Sequence, residues 1–244
     1  MIKPGDSTHP AHQEPERTSS DTGGHARRWS YEGNDGPEHW GEIDPSYATC
    51  RIGQRQSPID LVNANPQSSA DIVFHYHPSR VRILNDGHTV LVHYGAGSHI
   101  EVDGRRYEVL QYHFHVPSEH AADGALFAAE LHIVHKDADG QLAVVGVLIE
   151  PGTENTALRL LLSSLPEQEG QENDLGITIN AADFLPAVRA CCRYTGSLTT
   201  PPCTEGVRWV VMTTPVQLST DQLAVLGRVL KGNSRPIQTP KRTL

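Results

Sequence analysis

Two short runs constrain this chain more than anything else in it: Gln111-Tyr112-His113-Phe114-His115, and Ala129-Glu130-Leu131-His132-Ile133-Val134-His135 a short distance on. Both alternate apolar and polar residues over the length of a strand. His113 and His115 therefore share one face of the first run, and Glu130 and His132 share one face of the second. If the two strands are neighbours, three imidazoles converge. Three histidines with a fourth position left for water form the ligand set of a catalytic zinc, whereas a structural zinc is closed by four protein ligands that usually include cysteine. A metal-bound histidine gives its other N–H to an oxygen that fixes tautomer and ring orientation. Each run offers one on the ligand face, Gln111 beside His113 and Glu130 beside His132. Phe74-His75-Tyr76-His77 is an internal control: it has the same H-x-H spacing, but no third histidine in a similar setting and no carboxylate two residues before a ligand.

Composition narrows the partners. A net charge of −9 and a pI near 5.8 argue against nucleic acid or an anionic membrane, because no basic patch is available to neutralise phosphates. No apolar run reaches the length of a membrane span, so the chain reads as soluble. At 244 residues it can bury a substantial core, in one large domain or two small ones. The four cysteines, Cys50, Cys191, Cys192 and Cys203, include no C-x-x-C spacing, which weakens both a cysteine zinc site and a thioredoxin-like role.

Taken in order, residues 1–28 are nearly devoid of apolar side chains and rich in Pro, Ser, Thr, Gly and charge. They cannot bury enough surface to offset their ordering entropy and are expected to form a disordered tail. His9, His12 and His25 read as part of that solvated tail, with weak metal binding as the alternative. No secretory h-region is present, so either a leader has been removed or export is absent. A single folded domain is expected over residues 29–244. Short alternating runs at Ile72 to Tyr76, Arg80 to Leu84, Thr89 to His93, His99 to Val102 and Arg106 to Leu110, separated by glycine turns, predict a largely antiparallel meander. Leu142 to Ile149 reads as a strand buried on both faces. Thr156 to Leu162 reads as a helix and Glu167 to Asp174 as a polar loop. Ser219-Thr220-Asp221-Gln222 carries the capping-box pattern, followed by Leu223, Leu226 and Leu230 on one helical face. Cys191-Cys192 reads as a small apolar pair on a strand, with an intermolecular bond as the alternative.

Gln111 to His120, Ala129 to His135, and Gly196-Ser197-Leu198-Thr199-Thr200-Pro201-Pro202-Cys203 together resemble the alpha-class carbonic anhydrases, in particular their bacterial branch, and the resemblance runs from about Trp29 to Gln238. It implies a mainly β (α+β) fold: a large, twisted, mostly antiparallel central sheet with short peripheral helices and zinc at the base of a conical cleft. The implied activity is the reversible hydration of carbon dioxide to bicarbonate, with weak esterase activity as a by-product.

The resemblance also distributes roles. His113, His115 and His132 would hold Zn2+, supported by Gln111 and Glu130. Three neutral ligands leave the ion its full charge and favour ionisation of its water. Thr199 would accept a hydrogen bond from the zinc-bound hydroxide and donate its own to Glu119, which as a carboxylate can only accept. Val134, Val144, Leu198, Thr200, Val207 and Trp209 match the substrate pocket. His88 matches the proton shuttle, its unperturbed pKa near 6.5 suiting transfer around neutrality, while Tyr31, Asn85 and Thr200 would order the intervening waters. Leu91 departs from the Asn or Gln common in the family and makes that rim more apolar. Cys50 and Cys203 would form a disulfide, implying a periplasmic or secreted location, and a homodimer is expected.

Two other classes compete. A catalytically silent binding module of the same family would lack a zinc ligand, and here all three histidines, Glu119 and Thr199 are present. A zinc peptidase would carry an H-E-x-x-H helix, which the sequence lacks.

Overall fold

A computed structural model describes residues 28–61 and 71–239. The expected tail, with His9, His12 and His25, lies outside them except for Arg28, whose guanidinium pairs with Glu169. The alternating runs become strands β1 (Ile72–His75), β2 (Ser79–Asn85), β3 (Val90–His93), β4 (His99–Val102) and β5 (Arg105–His115). Gly87 and Gly104 take positive φ at the turns, a conformation glycine adopts without a Cβ clash. A two-stranded hairpin, β6 (Ala121–Ala122) and β7 (Ala125–Leu126), separates β5 from β8 (Ala129–Lys136). β9 (Leu142–Pro151), β10 (Glu172–Ile179), β11 (Cys191–Ser197) and β12 (Glu205–Leu218) complete the set.

Ten strands form one sheet in the order β10-β2-β3-β5-β8-β9-β12-β11, with β4 pairing β5 and β1 pairing β4. The ladders are antiparallel except for the parallel pair β9 and β12. The expectation of a large, mostly antiparallel sheet therefore holds, with mixed character at that one ladder.

β5 and β8 are direct neighbours, and His113 lies opposite His132. A bulge between Val109 and Gln111 changes which face β5 buries: Tyr107 and Val109 point into the core before it, Tyr112 and Phe114 after it. Glu108, Gln111, His113 and His115 consequently share the other face.

The central strands are covered on both sides. Leu131, Ile133, Val145, Val147, Val210 and Met212 join one core cluster, while Val134, Val144, Leu148, Val207, Trp209 and Val211 join a second. Full burial of each such side chain favours folding by about 1.5–3 kcal/mol. The first cluster is closed by short helices α3 (Arg159–Leu162) and α4 (Thr220–Leu230), which contribute Leu161, Leu226 and Leu230. Two helices as short as α3, namely α1 (Trp40–Ile43) and α2 (Thr49–Ile52), precede the sheet. Ser219 and Gln222 form the predicted capping box on α4.

Two local expectations require correction. The helix expected over Thr156 to Leu162 is a single turn at Arg159–Leu162, because Asn155 instead caps a turn through the N–H groups of Ala157 and Leu158. The expected loop at residues 167–174 ends early, at the start of β10 at Glu172. β10 is an edge strand, so its polar side chains face solvent and pair with β2: Arg82 with Glu172, Arg80 with Asp174. Cys191 and Cys192 open β11 as a buried pair outside the disulfide.

Candidate active site

Strand pairing brings His113, His115 and His132 together, and one ring nitrogen from each lies within 4.8 Å of the other two. The opposite nitrogen of each ring is engaged by a protein oxygen. His113 Nδ1 meets Gln111 Oε1 at 2.8 Å, His132 Nε2 meets Glu130 Oε1 at 2.9 Å, and His115 Nδ1 meets the main-chain carbonyl of Asn233 at 2.7 Å. Three acceptors thus fix three tautomers and turn three lone pairs inward. Burial and the neighbouring imidazoles hold His113 well below the ordinary histidine range, and burial lowers His132 and brings His115 down to about 4. The rings are therefore neutral at pH 7, as ligation requires.

The chemistry of this set fits a zinc ion. Among the described residues, His115 Nε2 and Glu119 Oε2 are buried with no hydrogen-bond partner, 3.5 Å apart, and His132 Nδ1 is 3.8 Å from the same oxygen. Orphaned buried polar atoms are costly, and here they surround one point. His120, Glu130 and His132 also lie within ligand reach of each other, but Glu130 is already saturated. Its Oε1 serves His120 and His132, and its Oε2 accepts the main-chain N–H groups of Glu119 and His120. Burial alone would raise the Glu130 pKa; the two histidines instead hold it well below the usual carboxylate range.

Glu119 is fully buried. Its Oε1 accepts the Arg235 N–H at 2.9 Å, and the Thr199 side chain hydrogen-bonds the same carboxyl. Burial pushes Glu119 up to about 7, against the pull of His132, Thr199 and Arg235. Trp209 stands edge-on to His132, ring centroids 4.9 Å apart, and belongs to the apolar cluster with Val134, Val144 and Val207, against which Leu198 packs. Thr200 follows, half-buried. Leu91 sits directly opposite His113 on β3.

His88 stacks on Trp29 with centroids 3.7 Å apart and planes 6° from parallel. It borders a cleft of ≈ 540 Å³ that is also lined by Tyr31, Asn85, Thr89, Glu169 and Lys231. Burial lowers the His88 pKa, opposed by Asp86 and Glu169. The Asn85 carboxamide is partly committed, donating to the Pro166 carbonyl and accepting from the Gly87 N–H. Tyr31 has a buried hydroxyl and packs edge-on to Trp29 and Trp40.

Several contributors were given no role by the sequence. His120 joins Glu130 to the Tyr194 hydroxyl, which lies 2.7 Å from His120 Nε2 and 2.9 Å from Ser57 Oγ. Arg235, buried beside Trp40, donates to Gln56 Oε1 and to the carbonyls of Ser57 and Cys50. Burial lowers its pKa to about 10, so it remains a cation at neutral pH. Cys50 is disulfide-bonded to Cys203 across 153 residues. The expected pairing is present, and it ties the Thr199 loop to the amino-terminal segment.

A family model described as eukaryotic-type carbonic anhydrase matches residues 35–244. A carbonic anhydrase of Nostoc sp. is 43% identical over 216 residues, covering 86% of this chain and 82% of its own. One from Klebsiella pneumoniae is 39% identical over 216 residues, covering 87% and 88%. The solved alpha-carbonic anhydrase of Thermovibrio ammonificans, in complex with the inhibitor sulfanilamide, superposes with a TM-score of 0.83 at 41% identity, covering 87% of this chain and 95% of that one. Because these matches run through both strands that carry the three histidines and through the segments that support them, the chain belongs to the eukaryotic-type, or alpha, carbonic anhydrase family.

Proposed function

We propose that His113, His115 and His132 hold one Zn2+ ion and that the chain catalyses the reversible hydration of carbon dioxide to bicarbonate and a proton. The observation that carries this reading is the set of three neutral, oriented imidazoles beside the unpartnered Glu119 Oε2. Zinc held there acts as a Lewis acid that brings ionisation of a water to about pH 7, a magnitude known for carbonic anhydrases generally rather than measured on this chain.

The protein's own groups do the rest. Thr199, with its hydroxyl proton committed to the Glu119 carboxylate, offers the attacking nucleophile an acceptor only. A nucleophile that donates to Thr199 has its lone pair turned toward the substrate, and a ligand without a proton is disfavoured. Arg235 N–H and the buried Arg235 side chain hold the Glu119 loop in place. Val134, Val144, Leu198, Val207 and Trp209 supply an apolar wall that suits a substrate without charge, and Thr200 lines the same pocket. His88 takes the released proton through waters ordered by Tyr31, Asn85 and Thr200, and passes it to solvent at the cleft.

The chain works outside the cytoplasm, in the periplasm or the exterior. The Cys50–Cys203 disulfide supports this, since such bonds persist in oxidising compartments. It forms a homodimer, which light scattering would report as twice the 26.7 kDa chain mass.

The test is metal retention. Wild-type protein dialysed against a mild chelator is expected to keep one zinc per chain, and His115→Ala to keep none while staying folded. One zinc retained by that variant would remove the assignment.

A further inference from the structure

The H-x-H pair that serves as the control in the sequence is not isolated in the fold. His77 lies beyond the end of β1, where its N–H is taken by Ser98 Oγ. His75, by contrast, is the direct cross-strand partner of His99 on β4. The two imidazoles stack with centroids 4.4 Å apart and planes 17° from parallel. Glu101, two residues along β4 on the same face as His99, places Oε1 at 4.0 Å from His75 Nε2 and at 4.0 Å from His99 Nε2. The sequence gives no hint of this grouping, because the carboxylate and the second histidine sit some 25 positions from His75 and meet it only through the β1–β4 register.

We propose that His75, His99 and Glu101 form a second, peripheral site for a divalent first-row transition cation. Two imidazoles and one carboxylate are the donor types that such ions, zinc among them, select over magnesium or calcium. Tetrahedral zinc at about 2.0–2.1 Å from each donor needs donors roughly 3.3–3.4 Å apart. The two 4.0 Å separations to Glu101 must therefore close by about 0.6–0.7 Å, which small side-chain rotations supply: His75 and Glu101 are both more than a third exposed, while His99 is nearly buried and provides the fixed anchor. Arg106 stands opposite Glu101, and its charge beside the site is offset by Glu108. Glu108 stands opposite His99 and is neutralised by Arg106 at 2.6 Å. Lys136 stands opposite Glu108 on the far side of β5.

The site is separate from the candidate active site. Glu108 and His113 are five residues apart on β5, about 17 Å of strand, on the same face of the sheet because of the bulge at Leu110. An ion bound to His75 and His99 would clip β1, which among the described residues pairs with β4 alone, onto the sheet. It would bind the native state and not the unfolded chain, and so would stabilise the fold.

Equilibrium dialysis of the zinc-loaded full-length protein against Zn2+ tests this. A second equivalent is expected for the wild type, together with a rise in thermal midpoint on adding Zn2+. His75→Ala and His99→Ala are expected to lose both the second equivalent and the rise, and Glu101→Gln to weaken them. Carbon dioxide hydration by all three variants should stay at the wild-type level, which also reports that they are folded. Absence of a second equivalent, or one that survives His99→Ala through the histidines of the amino-terminal segment, overturns the proposal. Failure of the active-site reading would instead appear as loss of the first equivalent's link to His115.

Discussion

The main-chain carbonyl of Asn233 accepts the Nδ1–H of His115 at 2.7 Å, so a residue 118 positions away orients a candidate metal ligand. The chain arrives there because α4 is stopped by Lys231 and Gly232, both at positive φ, which is a common way to end a helix and redirect the backbone. The Asn233 side chain then locks the carbonyl in place. Its Oδ1 accepts the Val116 N–H, and its Nδ2 donates to the Phe114 carbonyl. Asn233→Ala removes both hydrogen bonds but keeps the carbonyl. Loss of such outer support typically costs 10–100-fold in metal affinity, and we expect a loss in that range, read by competition with a chromophoric chelator. Unchanged affinity would show that the carbonyl is held without the side chain.

Gly146 faces His132 across β8 and β9, inside the valine-rich run. A Cβ there would come within 2.8 Å of Glu130 Oε1, the atom shared by His120 and His132. Gly146→Val is expected to displace that carboxylate, lowering zinc affinity at least about tenfold while the strand itself, rich in valine, still forms. Titration of the metal-free variant with zinc checks this, and wild-type affinity would contradict it.

The stack of His88 on Trp29 buries the imidazole and lowers its pKa. Trp29→Ala should expose the ring and raise that pKa toward the ordinary 6.5. A proton acceptor works only when neutral, so the acid limb of turnover in weak buffer should move to higher pH in this variant. His88→Ala should slow turnover in weak buffer and be rescued by added imidazole. Turnover unaffected by His88→Ala would exclude the shuttle.

His135 lies on the opposite face from the ligands, fully buried, with Nε2 accepting from the Tyr76 hydroxyl and Nδ1 donating to the Ala143 carbonyl. Burial brings its pKa down to about 3, against about 6.5 in the unfolded chain. Its folded value is depressed, so the stability it allows is fully present above pH 6.5 and is lost as pH falls toward 3. In that window the unfolded state binds one more proton, and stability should fall by about 1.4 kcal/mol per pH unit on account of this residue. Urea unfolding across pH should show a shallower slope for His135→Gln by that amount, and an unchanged slope would mean the residue is already charged in the fold.

The convergence of the three histidines and the oxygens that orient two of them was largely legible in the sequence, because two-residue periodicity places His113, His115, Gln111, Glu130 and His132 without reference to the rest of the chain. The sheet was legible for the same reason, through alternating runs and glycine turns. The roles of Asn233 and Arg235 were not, because they act through a carbonyl and through buried hydrogen bonds to segments more than a hundred residues away, and no spacing encodes that. β10 was misread because an edge strand that pairs through Arg80 and Arg82 has the composition of a loop. The His75, His99 and Glu101 grouping was missed because it depends on cross-strand register, which periodicity within a single run cannot supply.

Stopped-flow carbon dioxide hydration across pH, on metal-stripped protein and on the same sample after one equivalent of zinc is restored, tests whether zinc at the three histidines carries the activity. Negligible activity is expected without metal, returning with zinc and rising through an apparent pKa of about 7. A folded sample carrying one zinc at His113, His115 and His132 that does not hydrate carbon dioxide would contradict that expectation.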